Sequence, residues 1–238
     1  MVSTQDSALA EHAGDRLGAR MRMVERLQAQ GIASIAVLQA MATVERHRFV
    51  DPGFGSQAYD DLSLPIGWEQ TISRPATVAR MAELLMEAPA LRPGAAAPDG
   101  PANGRVLEIG TGCGYQAAVL SRLVREVYSV ERLRAMHEKA RANLRPFRLA
   151  NLHLLLGDGL LGYPVGAPYA GIVVAAGGEA VPDAWCEQLA VGGRLLAPVA
   201  VPGQRGRQQL VMVERTATGL KRSLLEQVHF VPLKSGIA

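Results

Sequence analysis

Arg105-Val106-Leu107-Glu108-Ile109-Gly110-Thr111-Gly112-Cys113-Gly114-Tyr115-Gln116 runs from a short apolar segment through three glycines into a helix-like stretch, Ala117–Val124. A strand that empties through glycines into a helix is how α/β proteins bring backbone N–H groups up against a nucleotide. Glycine is required because the turn visits positive φ and because a Cβ would hold the ligand away. The spacing is G-x-G-x-G, and Tyr115 stands where the dinucleotide pattern asks for its third glycine. That argues against a pyrophosphate and for a nucleoside ligand without phosphates, such as S-adenosylmethionine. About 20 residues further on, Glu131 ends the strand-like run Glu126–Val130, where a carboxylate can accept both ribose hydroxyls. A glycine turn that binds nothing is the alternative. Strand, turn, helix, strand and acid in this order favour the nucleoside site.

Downstream the alternation continues. Helix Leu133–Leu144 leads to strand Asn151–Leu156 and Gly157-Asp158-Gly159, and strand Ala170–Ala175 to Gly177-Gly178. Helix Asp183–Leu189 and strand Arg194–Val199 follow. Near-continuous apolar strands alternating with helices predict a parallel sheet covered on both faces. The last two strands, Gln209–Glu214 and Leu225–Val231, are too close for a helical crossover and are expected as an antiparallel pair at the sheet edge. The fold class is therefore α/β, a Rossmann-like, doubly wound, seven-stranded mixed sheet.

Upstream, Met1–Asp15 reads as a disordered tail. Residues 16–87 are expected to form an N-terminal helical layer and a loop: Leu17, Met21, Val24 and Leu27 share one helix face, Ser34 caps a second helix, and Thr77–Glu87 forms a third. Between them, Arg46–Pro75 is rich in turn formers yet carries Phe49, Phe54, Tyr59, Ile66 and Trp68, so it packs against something. Ala88–Gly104, almost free of large apolar residues, reads as a linker loop. Residues 105–238 hold the sheet, and 16–238 make a single domain.

The totals exclude several classes. Of 238 residues, 48% are hydrophobic, enough for a sizeable core. A net charge of +3, with basic residues scattered among acids, does not point to nucleic acid. Cys113 and Cys186 lie far apart, which suggests neither a disulfide framework nor a metal site. No secretory signal and no membrane-length apolar run is present, so a cytoplasmic protein is expected.

In an open α/β sheet, ligands bind beyond the carboxyl ends of the strands where strand order reverses. Gly110–Gly114, Glu131, Gly157-Asp158-Gly159 and Ala175–Glu179 are expected to meet there. Asp158 either accepts from an adenine amino group or only satisfies the turn around it. A Ser-His-Asp hydrolase is disfavoured, because no G-x-S-x-G elbow exists. Trp68 and Trp185 read as packing residues, and Cys113 as a small turn residue.

Several runs carry a resemblance. Arg105–Gln116, with Glu131 and Gly157-Asp158-Gly159, resembles the donor site of S-adenosylmethionine-dependent methyltransferases. Arg48-Phe49-Val50, Ala58-Tyr59-Asp60-Asp61, Leu64-Pro65-Ile66-Gly67 and Gln70-Thr71-Ile72-Ser73-Arg74-Pro75 resemble protein-L-isoaspartate O-methyltransferases, as does the closing Phe230-Val231-Pro232-Leu233. The resemblance implies S-adenosyl-L-methionine as cofactor, held by Glu108, Gly110, Gly112, Gly114, Glu131, Asp158 and Gly159. It implies isoaspartyl proteins and peptides as substrates, bound by Thr71, Ile72, Ser73, Arg74, Val174 and Ala175, and a monomer without nucleic-acid, membrane or metal partners. Ser73 is implied as the catalytic positioner, its hydroxyl donating to the acceptor carboxylate; on sequence alone it also suits a helix cap for the stretch from Thr77. Arg74 and Gly177-Gly178 depart from the family pattern. Arg74 either adds a cation for the acceptor carboxylate or points to solvent.

Overall fold

The glycine-rich turn opens off the central strand of a seven-stranded sheet in the computed structural model, which describes residues 4–92 and 104–238. The strands are β3 (Arg105–Ile109), β4 (Glu126–Glu131), β5 (Leu152–Leu156), β6 (Tyr169–Val174), β7 (Leu189–Ala200), β8 (Gln208–Thr216) and β9 (Gly219–Val228), in the order β5-β4-β3-β6-β7-β8-β9. The five strands from β5 to β7 run parallel, while β8 and β9 close the edge antiparallel. Chain order runs outward from β3 to β5 and then returns to β6 on the other side of β3. The reversal therefore falls between β3 and β6, where a crevice must open at their carboxyl ends.

Side chains alternate between two cores. Val106, Val127, Val173 and Leu196 pack with the N-terminal helices, α4 (Tyr115–Leu120) and α5 (Arg134–Leu144). Leu107, Ile109, Ile172, Val174 and Leu195 pack with α6 (Asp183–Gln188), through Trp185. Both faces of these strands are apolar because both are covered.

The N-terminal layer consists of α1 (Thr4–Ala29), α2 (Ile35–Thr43) and α3 (Pro75–Met86). Three sequence expectations need correction here. Helix α1 begins at Thr4, inside the stretch expected as a tail. Its buried stripe is Met23 and Leu27, one helical turn apart and each 1% exposed, whereas Leu17 and Met21 are exposed. Only one flank of α1 touches α2 and α3, and Met21 lies on the opposite flank. The edge strand β9 starts at Gly219, so its hairpin with β8 turns through Ala217-Thr218 and is longer than expected. Residues 93–103, most of the expected linker Ala88–Gly104, lie outside the described residues.

The expected irregular loop contains a β-hairpin, β1 (Leu64–Gly67) and β2 (Gln70–Ile72). Its turn residues Trp68 and Glu69 both have left-handed φ, +47° and +57°. That is the twist a two-residue hairpin needs, here built without the usual Asn-Gly or Asp-Gly. Lys139 of α5 holds the hairpin in place, donating to the Ile66 carbonyl at 2.6 Å with Nζ 5.9 Å from the Trp68 ring centroid. No helix among the described residues is long and apolar enough to cross a membrane.

Candidate active site at the carboxyl ends of the strands

A cavity of about 440 Å³ opens where strand order reverses. That is within the usual range for small-molecule and cofactor sites. The glycine turn forms one wall. Gly110 and Gly112 have φ of +91° and +55°, which turn their backbone into the cavity. The turn is tied to its neighbours, since the Gly110 N–H donates to the Val130 carbonyl and the Ala175 N–H to the Ile109 carbonyl, at 2.9 and 2.8 Å. Gly114 does a different job. At φ +91° it starts α4, and a Cβ there would sit 2.7 Å from Leu144 Cδ1. It is fixed by helix packing and is not part of the cavity wall.

Glu131 is 6% exposed and lines the same cavity. Its two oxygens accept from the Gly112 and Leu133 N–H groups, both at 2.9 Å. Each carboxylate oxygen has two lone pairs, so both keep capacity for a ligand hydroxyl. Glu131 therefore clamps the glycine turn and still presents acceptor capacity to the cavity. Gly159 lines the cavity as well.

Glu108 and Asp158 sit elsewhere. Glu108 has no exposure and lies beneath the turn on the α4 side of β3. Gln116 Nε2 lies 3.0 Å from one of its oxygens and Ser129 Oγ 2.5 Å from the other; Ser129 in turn is 2.6 Å from Thr111 Oγ1. Burial pushes its carboxyl up to about 8, against the hydrogen bonds from Ser129 and Gln116. It supports the turn from below. Asp158 accepts from the Leu160 N–H at 2.9 Å and, through its second oxygen, from the Gly236 N–H at 2.7 Å. The segment Val231–Lys234 thus borders the cavity before the chain passes Asp158.

The hairpin supplies the opposite wall, with Thr71, Ile72 and Ser73 lining it and Ala175 between the two halves. Ser73 is not the helix cap. The residue before α3 is Arg74, which makes no side-chain cap, and Asp61 Oδ1 accepts from the Ala76 N–H at 2.9 Å instead. No side-chain hydrogen bond occupies the Ser73 hydroxyl among the described residues. Arg74 points away from this cavity. It is half exposed, 3.9 Å from Asp61, and borders a separate shallow depression with Arg80 and Glu226. Val174 is buried in β6 with no exposure and does not reach the cavity.

Trp68 corrects a further expectation. It is 55% exposed at the hairpin tip and forms the outer rim, whereas Trp185 is buried and donates to the Gly159 carbonyl at 2.8 Å. Cys113 faces the cavity, but burial pushes its thiol up to about 11, so it stays neutral and is a poor nucleophile. The sequence reading missed Tyr115, Leu133 and Val231–Lys234 as wall residues. The apolar Val231-Pro232-Leu233 run beyond the last strand was the available signal.

Residues 19–238 match the family model described as protein-L-isoaspartate(D-aspartate) O-methyltransferase. Protein-L-isoaspartate O-methyltransferase 2 of Cupriavidus necator is 58% identical over 218 residues, covering 89% of this chain and 69% of the relative. The protein-L-isoaspartate O-methyltransferase of Burkholderia mallei is 57% identical over 219 residues, covering 92% of this chain and 64% of the relative. The chain thus spans about two thirds of the length of these curated relatives. A solved protein-L-isoaspartate O-methyltransferase superposes with a TM-score of 0.76 at 30% identity, over 91% of this chain and 66% of that one. A Plasmodium falciparum structure in complex with S-adenosyl-L-homocysteine has the same fold, with a TM-score of 0.75 at 21% identity, over 90% of this chain and 98% of that one.

Proposed function

Since this chain belongs to the protein-L-isoaspartate(D-aspartate) O-methyltransferase family, we propose that it methylates the free α-carboxylate of L-isoaspartyl residues, with S-adenosyl-L-methionine as donor. The observation that carries the reading is one cavity with two unlike walls: glycine turn and Glu131 on one side, and on the other a serine hydroxyl with no hydrogen-bond partner among the described residues. Gly110 and Gly112 fit the donor because a Cβ at either would project from a left-handed backbone at the cavity wall. Glu131 fits its ribose hydroxyls. When bound, the donor supplies an electrophilic methyl group on a sulfonium.

The acceptor needs no base. An isoaspartyl α-carboxylate has an ordinary pKa near 3.5–4 and is already ionised at neutral pH. What the protein adds is alignment and exclusion of water. Ser73 donates a hydrogen bond to one carboxylate oxygen, which leaves the other to attack; it forms no covalent bond. Ile72 and Ala175 line the site with apolar surface, and Trp68 bounds it at the mouth. Methylation gives the carboxyl carbon a better leaving group, so the next peptide nitrogen attacks that carbon and methanol departs. The resulting succinimide hydrolyses partly to a normal aspartyl linkage. The groups named come from the seven-stranded sheet and the β1–β2 hairpin packed over it, all within the proposed catalytic domain, residues 16–238, of an enzyme we read as a monomer.

The test is transfer of labelled methyl from S-adenosylmethionine to an isoaspartyl peptide and to its aspartyl twin. Base-labile label on the isoaspartyl peptide alone is the expected result. Label on neither peptide, despite measurable cofactor binding, would overturn the assignment.

A further inference from the structure

Arg46 begins a short 3-10 helix, Arg46–Phe49, and is fully buried. A buried guanidinium is costly and is normally matched by a carboxylate. Here its hydrogen bonds go to three backbone carbonyls from three segments: Nε donates to Ala58 at 2.7 Å, and Nη2 to Leu62 at 3.3 Å and to Ser73 at 2.8 Å. Its carbon Cζ lies 4.8 Å from the centroid of the Tyr115 ring, a cation–π distance. Tyr115 itself lines the cavity just after the glycine turn. Nη1 is buried and has no hydrogen-bond partner among the described residues. Guanidinium stays protonated in proteins, so a fixed positive charge sits behind the acceptor wall; Asp61 is the nearby carboxylate that favours it, without an ion pair between them among the described residues.

One side chain thus joins the backbone of the serine on the acceptor wall to an aromatic ring on the donor wall. The planar fork fixes both the distance and the orientation between them. An ammonium, being a point charge on a flexible stem, would not. We propose that Arg46 is a positioning residue for methyl transfer: it holds the Ser73 segment in register with the glycine turn, so that the Ser73 hydroxyl meets the acceptor carboxylate. The inference rests on the acceptor being a carboxylate held by Ser73, as proposed above. Its own content is that Arg46 acts through Ser73.

The test uses Arg46→Lys, which keeps the charge, and Arg46→Met, which keeps much of the length and needs no polar partner. Each is measured for S-adenosylhomocysteine affinity by calorimetry and for kinetics on an isoaspartyl peptide, alone and combined with Ser73→Ala. We expect homocysteine-analogue affinity within about twofold of the parent, kcat/KM for the peptide down at least tenfold, and a larger rise in peptide KM for Arg46→Met than for Arg46→Lys. In the Ser73→Ala background the further loss should shrink to about twofold, because residues acting as a unit are not additive. Undiminished, multiplicative losses in that background would overturn the inference, as would a fall in cofactor affinity matching the fall in kcat/KM. Either result is separable from failure of the functional reading, which would show as an unmutated protein inactive on the isoaspartyl peptide.

Discussion

Replacing Glu108 by Gln tests how the glycine turn is supported. Glu108 has no exposure, and burial lifts its carboxyl from 4.5 to about 8 in the folded state. An unfolded chain releases that proton near pH 4.5, whereas the folded chain keeps it until about pH 8. Between those values the folded state binds more protons, so stability is fully present below the unfolded value and is lost as pH rises through the window. Each pKa unit corresponds to about 1.4 kcal/mol, so the whole window is worth at most about 5 kcal/mol. Urea unfolding at roughly pH 5.5 and pH 7.5 samples two units of it, a loss of about 2–3 kcal/mol from this group. Gln fits the protonated pattern, since its carbonyl accepts from Gln116 Nε2 and its amide donates to Ser129 Oγ. Glu108→Gln should therefore fold and show a pH dependence flatter by that amount, with the gain over the parent largest at the higher pH. Equal slopes for parent and variant would refute the reasoning, because they would mean that Glu108 is ionised in the folded protein.

Three further outcomes follow from the site. Glu131→Gln removes one charge-assisted acceptor and turns an amide toward either the Gly112 or the Leu133 N–H; S-adenosylmethionine should bind about 10- to 100-fold more weakly by calorimetry, matching roughly 1.5–3 kcal/mol. Ser73→Ala should lower kcat/KM for an isoaspartyl peptide by a similar factor while leaving cofactor affinity unchanged; weaker cofactor binding would show that Ser73 serves the donor wall. Gly114→Ala forces a left-handed φ on a residue with a Cβ and drives that Cβ to 2.7 Å from Leu144. It should cost about 2–4 kcal/mol, read as a lower Tm.

The donor wall was legible in the sequence because its requirements are local. A strand, three glycines at fixed offsets and an acid about 20 residues on are consecutive features of one β-α-β unit. Periodicity also located β3, β4 and β6, which are apolar because both faces are covered, and the half-buried edge strand β5; β7 was expected from Arg194 but begins at Leu189. What escaped depends on distant partners. The β1–β2 hairpin has Trp68-Glu69 at its turn, a pair that no turn preference would select, and Lys139 from α5 helps to hold it. Local pattern alone left Ser73 suited to a helix cap as well as to the acceptor role; the cap goes instead to Asp61, well upstream. Glu108 was grouped with cofactor residues by its place in the motif, yet it is sealed beneath the turn, while Asp158 accepts from Leu160 and from the distant Gly236, a contact no local pattern announces. Arg74 stood in the acceptor run, but its side chain leaves the cavity for the flank facing Glu226. Arg46 gave no signal at all, because its acceptors are backbone carbonyls.

The most direct measurement locates the transferred methyl group. An isoaspartyl peptide that also carries an ordinary aspartate and a free C-terminal carboxylate is incubated with the protein and S-adenosylmethionine at mildly acidic pH, where the ester survives. Tandem mass spectrometry then assigns the modified residue. The account predicts one methyl group, on the isoaspartyl α-carboxylate, and its conversion to a succinimide when the product is brought to neutral pH. A methyl group on the aspartate side chain or on the C-terminal carboxylate would contradict it.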